Sequence, residues 1–134
     1  YDVHSWLGEY KDAGSITIYA GCEPESAGLV AQLCLEEFEK LINSIDEDEL
    51  TKGKQMVKGH ILLSSEDSRS VSSWLGAQEL LLGEITSIEE TIKQIDMVTV
   101  DDIRKTGKKL FRPDKATIAA VGPFTKDIFK DLIL

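Results

Sequence analysis

The clearest periodicity near the start of the chain lies in Ser15 to Ala20, Ser-Ile-Thr-Ile-Tyr-Ala, where small or polar residues alternate with larger apolar ones. Period two with β-branched residues predicts a half-buried strand, and Gly14 and Gly21 bracket it. The preceding stretch Tyr1 to Glu9 is also extended in character, and Lys11-Asp12-Ala13-Gly14 supplies turn chemistry. An antiparallel hairpin is therefore expected.

From Pro24 onward the period changes. Leu29, Val30, Leu33, Cys34, Phe38, Leu41, Ile42 and Ile45 recur at spacings of three and four, which predicts an amphipathic helix with these residues as its core face. Asp46-Glu47-Asp48-Glu49 then places carboxylates where a helix N-terminus favours negative charge, and Met56, Val57, His60, Ile61 and Leu63 continue a second helical stripe. Ser64 to Ser70 reads as a break, followed by a third helix carrying Val71, Trp74, Leu75, Leu81 and Leu82 and ending at Gly83. Hydroxyl residues with an acid three positions later, in Thr86 to Glu90 and in Thr99 to Asp102, predict short helices near 87–95 and 100–111. Lys115 to Val121 is apolar and partly β-branched between Pro113 and Gly122-Pro123, so it is expected to return as a buried strand, with a last helix from Thr125. Strands, then helices, then a strand give an α+β class with an antiparallel or mixed sheet and several helices packed on it, as a single domain over residues 1–134.

Charge narrows the function. With 24 acidic and 15 basic residues the net charge is -9, which repels a phosphate backbone and argues against nucleic acid. The longest apolar runs, Ile61-Leu62-Leu63 and Leu80-Leu81-Leu82, are far shorter than the roughly 20 residues that cross a bilayer, so no membrane span is expected. No secretory leader opens the chain, and its first residue is Tyr1 rather than methionine, as for a chain cut by processing or by design.

Candidate chemistry is sparse. A catalytic zinc takes three protein ligands and a water, whereas His4 and His60 are the only histidines, and neither opens an H-x-x-E-H motif or its inverse. Both read as ordinary polar residues at the edge of a core. The serines between Ser64 and Ser73 lack a G-x-S-x-G elbow. Cys22 and Cys34 have neither metal-site spacing nor an electropositive setting, and Glu23 opposes a Cys22 thiolate, so they read as reduced thiols. Gly14, Gly21 and Gly28 form no phosphate loop, and the pairs Glu36-Glu37 and Glu89-Glu90 read as solvated charge.

The order of short motifs carries more than any one of them. Tyr1-Asp2-Val3-His4-Ser5, Tyr10 to Gly14 and Ile18-Tyr19-Ala20-Gly21 are followed by Glu47 to Leu50, Lys58-Gly59-His60-Ile61-Leu62-Leu63, Glu66-Asp67, Gln78-Glu79-Leu80 and Gly83-Glu84. Ile95-Asp96, Val98-Thr99, Asp101-Asp102 and Ala119 to Pro123 complete the set. This series resembles the pitrilysin or insulinase superfamily of zinc peptidases, in particular the mitochondrial-processing-peptidase type and its bacterial relatives. The resemblance implies the half-domain fold of the LuxS and processing-peptidase metallohydrolases, and it places the chain as the second half of the peptidase C-terminal domain.

In such enzymes zinc is held by the N-terminal catalytic domain, so the resemblance implies no catalytic and no metal-binding residue in this chain. The implied partners are that catalytic domain, an extended peptide substrate that this lobe helps to enclose and, through a face the rest of the domain would cover, a second copy of the chain. The family's substrate-contacting tyrosine falls at Tyr1, the one substrate-binding residue implied. In a bacterial source a soluble cytoplasmic protein is expected. Two other readings stay open: an inert scaffold or partner subunit of a processing-peptidase-like complex, and an unrelated acidic protein-interaction module.

Overall fold

A computed structural model describes residues 2–112, 115–130 and 132. The class is α+β: a two-stranded antiparallel sheet and five α-helices. Strand β1 (Asp2–Glu9) pairs with β2 (Gly14–Gly21) over eight residue pairs, from Asp2 opposite Gly21 to Glu9 opposite Gly14. Helices α1 (Ala27–Ser44), α2 (Glu47–Ser64), α3 (Ser68–Leu82), α4 (Ile88–Met97) and α5 (Val100–Leu110) follow. Short 3-10 turns occupy Pro24–Ser26, with the proline at the first turn, and Lys126–Phe129 where a last helix was expected.

The helix limits follow from local capping chemistry. Asp46 accepts the Glu49 N–H at 2.9 Å, Asp67 the Ser70 N–H at 2.8 Å, and Ser87 the Glu90 N–H at 3.1 Å, each filling a donor that the first helical turn leaves open. At the start of α5 the box is reciprocal: the Thr99 N–H donates to the Asp102 carboxylate at 2.9 Å, and the Asp102 N–H donates to Thr99 Oγ1 at 3.2 Å. Helix α3 stops at Gly83, the single described residue with positive φ (72°), a left-handed C-cap that glycine adopts without a Cβ penalty.

The chain forms two compact units. The first comprises Tyr1–Ser44 with Arg104–Leu134, and the second Ile45–Ile103. In the first, α1 packs on β2, on the Lys126–Phe129 turn and on α5. A Cβ on Gly107 of α5 would lie 2.6 Å from Ile42 Cγ1, and one on Gly28 would lie 2.7 Å from the Ile128 carbonyl oxygen, so both glycines mark close approaches to α1. Ala27 and Ile42 are buried there, and Phe38 stacks at a tilt on Phe111 with centroids 5.4 Å apart. In the second unit Ile45 and Leu50 are buried, and α2 meets α4, where Lys54 donates to the Asp96 carbonyl and Lys58 pairs with the Asp96 carboxylate.

Two expectations are corrected. Residues 116–121 form no strand and lie exposed, with Val121 fully in solvent. A β-branched run extends stably only when its N–H and C=O groups find a neighbouring strand, and among the described residues the sheet holds β1 and β2 alone. The core face of α1 is also narrower than its apolar spacing predicts: Ile42 is 5% exposed, whereas Leu29, Leu33 and Leu41 stand in solvent. Helix α2 repeats this, with Leu50 buried and Met56, Val57 and Leu63 exposed. The chain exposes 10,430 Å². A compact 14.8 kDa monomer exposes about 7,000 Å², and even two separate compact bodies of half that mass about 8,400 Å². The chain thus exposes more surface than either compact arrangement would.

Candidate functional site

The hairpin register sorts its side chains into two faces. Because His4 stands opposite Tyr19 and Trp6 opposite Thr17, one face carries Asp2, His4, Trp6, Thr17 and Tyr19; the other carries Val3, Ser5, Leu7, Ile16 and Ile18. On the first, the His4 ring lies 4.9 Å from Tyr19 and 5.3 Å from Trp6, centroid to centroid, tilted 31° to each. Asp2 Oδ1 sits 3.5 Å from His4 Nδ1. Three rings with a carboxylate at one end make an exposed aromatic platform beside an extended backbone, a surface suited to a peptide that offers both side chains to stack and main-chain groups to pair. Sequence reasoning read His4 alone, as a polar residue at the edge of a core, and did not group the three rings. Their spacing held the signal: His4 and Trp6 are two apart on one strand, and the turn brings Tyr19 opposite.

The other candidates resolve into structural roles or stand apart. Tyr1, the implied substrate contact, lies outside the described residues. His60 is exposed on α2, in the second unit, while His4 is in the first. Among the described residues no group of three or more His, Cys, Asp or Glu is placed to hold a metal ion. These side chains therefore do not fit the three-ligand set of a catalytic zinc. Cys22 and Cys34 are free and half-buried; burial first, and then the neighbouring Cys22, push the Cys34 thiol above its ordinary pKa, away from nucleophilic chemistry. The serine-rich stretch serves helix ends: Ser65 Oγ donates to the Leu62 carbonyl at 2.6 Å and Ser70 Oγ to Asp67 at 2.6 Å. Hydrogen bonds from the Ser70 hydroxyl and N–H hold the Asp67 carboxyl below its usual range, and at α4 its own N–H and the Ser87 hydroxyl do the same for Glu89. Glu37 pairs with Lys40 on the surface of α1. No helix among the described residues is long and apolar enough to cross a membrane.

Comparison with known proteins gives this arrangement a context. Residues 1–57, which hold the whole hairpin, α1 and the first half of α2, match the family described as the Peptidase M16 inactive domain. An uncharacterized zinc protease of Mycobacterium tuberculosis is 35% identical over 111 residues, which cover 82% of this chain and 25% of that protein. The uncharacterized zinc protease YmxG of Bacillus subtilis is 31% identical over 124 residues, 92% of this chain and 30% of that protein. The mitochondrial-processing peptidase β subunit of Bos taurus is 28% identical over 123 residues, 92% of this chain and 25% of that protein. Among solved structures, a chain of complex III2 from Candida albicans with Inz-5 bound superposes with a TM-score of 0.74 at 26% identity, covering 80% of this chain and 26% of that one.

The chain belongs to the pitrilysin/insulinase-type (M16) peptidase family and corresponds to part of its C-terminal, inactive domain. It spans about a quarter to a third of the length of the curated relatives it matches.

Proposed function

We propose that this chain is the second half of the C-terminal domain of a zinc metalloendopeptidase, a non-catalytic lobe that helps to enclose an extended peptide. Zinc and the water it activates would then belong to the N-terminal catalytic domain of the same protein, where a metal-bound water supplies the nucleophile for peptide hydrolysis. This chain's own residues bind and orient. Tyr1 contacts the peptide, and the His4, Trp6 and Tyr19 rings form a wall that excludes water and limits the conformations a bound segment can adopt. The observation that carries the reading is the exposed aromatic face of the hairpin within the segment that matches the family's inactive domain.

The test is Trp6→Ala in the protein that joins this chain to its catalytic domain, with unstructured peptides as substrates. Expected is a fall of about tenfold in kcat/KM, equivalent to ~1.4 kcal/mol of lost transition-state binding, with zinc content unchanged. Unchanged hydrolysis in a zinc-loaded protein would overturn the enclosing role. A second reading, an inert scaffold or partner subunit, draws on the likeness to a chain of complex III2. It predicts no zinc and no hydrolysis in the joined protein, with Trp6→Ala weakening only assembly.

A further inference from the structure

We propose that Cys22 and Cys34 are a reversible dithiol–disulfide pair that ties the exit of the hairpin to α1. Both thiols are free and half-buried. Cys22 is the first residue after β2, and the Pro24–Ser26 turn leads from it into α1, which packs back on β2. Along α1, Ala27, Ala31, Cys34, Phe38 and Ile42 recur every three or four residues and so share one stripe of the helix. Ala27 and Ile42 are buried there and Ala31, Cys34 and Phe38 half-buried, which puts the Cys34 thiol on the packed side of α1. A negative charge on Cys22 is felt at Cys34, where it raises the thiol pKa. Charges more than about 10 Å apart are largely screened, so the two sulfurs lie within that range.

The chemistry is exchange with a low-molecular-weight disulfide such as oxidised glutathione. Burial holds the Cys34 thiol protonated, so Cys22 acts first. Its thiolate attacks one sulfur of the small disulfide, forming a mixed disulfide and releasing one small thiolate. Cys34, once deprotonated, attacks the Cys22 sulfur and releases the second. The two protein thiols are oxidised, the small disulfide is reduced, and the two protons lost by the protein end on the released thiols. In the unfolded chain Cys22 and Cys34 meet only by random closure of the loop between them, which costs entropy. A fold that already holds them together has met that cost, so folding favours the bond and the bond stabilises the fold to the same extent. Because β2 carries Tyr19, and β1 beside it His4 and Trp6, the bond fixes the ring-bearing hairpin to α1 under oxidising conditions and releases it under reducing ones.

Equilibration of the 134-residue chain with oxidised and reduced glutathione, quenched in acid and read by mass spectrometry, tests this. The main oxidised product is expected to be the chain less two hydrogens, with no glutathione attached. At one glutathione ratio the proportion of this disulfide to the dithiol is expected to be at least about tenfold higher in the folded chain than in the chain unfolded by urea. Oxidation is also expected to raise the urea midpoint of the parent and to leave that of Cys34→Ser unchanged, far-UV circular dichroism showing the variant to be folded. A proportion in the folded chain equal to or below that in urea overturns the proposal. So does a folded parent that ends as a glutathione adduct or as a disulfide-linked dimer, or an equal shift of midpoint in parent and variant.

Discussion

The junction of α1 with α5 and the β1–β2 hairpin belong to the same compact unit and are built in opposite ways. At the junction Ile42 is buried, Gly107 lets the helices approach until no Cβ would fit, and Phe38 meets Phe111. In the hairpin eight residue pairs satisfy the backbone on one side, and most side chains of both faces remain exposed even though α1 touches β2. The first region spends its apolar side chains inside the chain. The second leaves them exposed. Packing and recognition thus draw on the same residue types and differ in whether this chain itself supplies the cover.

This contrast can be broken by substitution. Ile42→Ala removes most of a buried side chain at a site closed by α5 and is expected to cost about 2–4 kcal/mol in denaturant unfolding. Val3→Ala is expected to stay within about 0.5 kcal/mol. Equal losses at the two positions would erase the distinction. Gly107→Ala comes next. Its Cβ overlaps Ile42 at Cγ1, a branch atom near the backbone, so overpacking of about 1–3 kcal/mol outweighs the about 1 kcal/mol of helix propensity that alanine brings. A rise in melting temperature for this variant would show the junction to be looser than described.

The smallest effect is in the second unit and is read by pH. Asp67 and Glu89 have folded pKa values below their ordinary ones because hydrogen bonds at the starts of α3 and α4 favour the carboxylate. Their contribution is fully present above the ordinary carboxylate range and is lost as pH falls through it toward the depressed values. Helical circular dichroism followed from neutral to acid pH should fall with a shallower slope in Asp67→Asn than in the parent, and identical profiles would remove Asp67 from the account.

What could be read from the sequence was mostly local. Asp46, Asp67, Ser87, Thr99 with Asp102, and Gly83 fix the ends of four helices, α2 to α5, through groups a few residues away, and the three- and four-residue apolar spacing marks α1. The hairpin was legible for the same reason, since a short turn joins its strands. Where the answer depended on distant partners the pattern misled. Residues 116–121 carry a strand's side chains but find no strand to pair with among the described residues, and Leu29, Leu33 and Leu41 carry a core's spacing on a side of α1 that stays exposed. The ring cluster of His4, Trp6 and Tyr19 needed the exact register, which alternation suggests and only the pairing fixes.

The first unit is interrupted in sequence: its two segments, ending at Ser44 and resuming at Arg104, are separated by the 59 residues of the second. Chain growth at about 5–20 residues per second therefore leaves α1 without Gly107 and Phe111 for roughly 3–13 s after Ser44 is made, while the inserted unit can already be complete. The order of synthesis is thus the reverse of the order of assembly, and α1 is the helix most in need of shelter in a nascent chain.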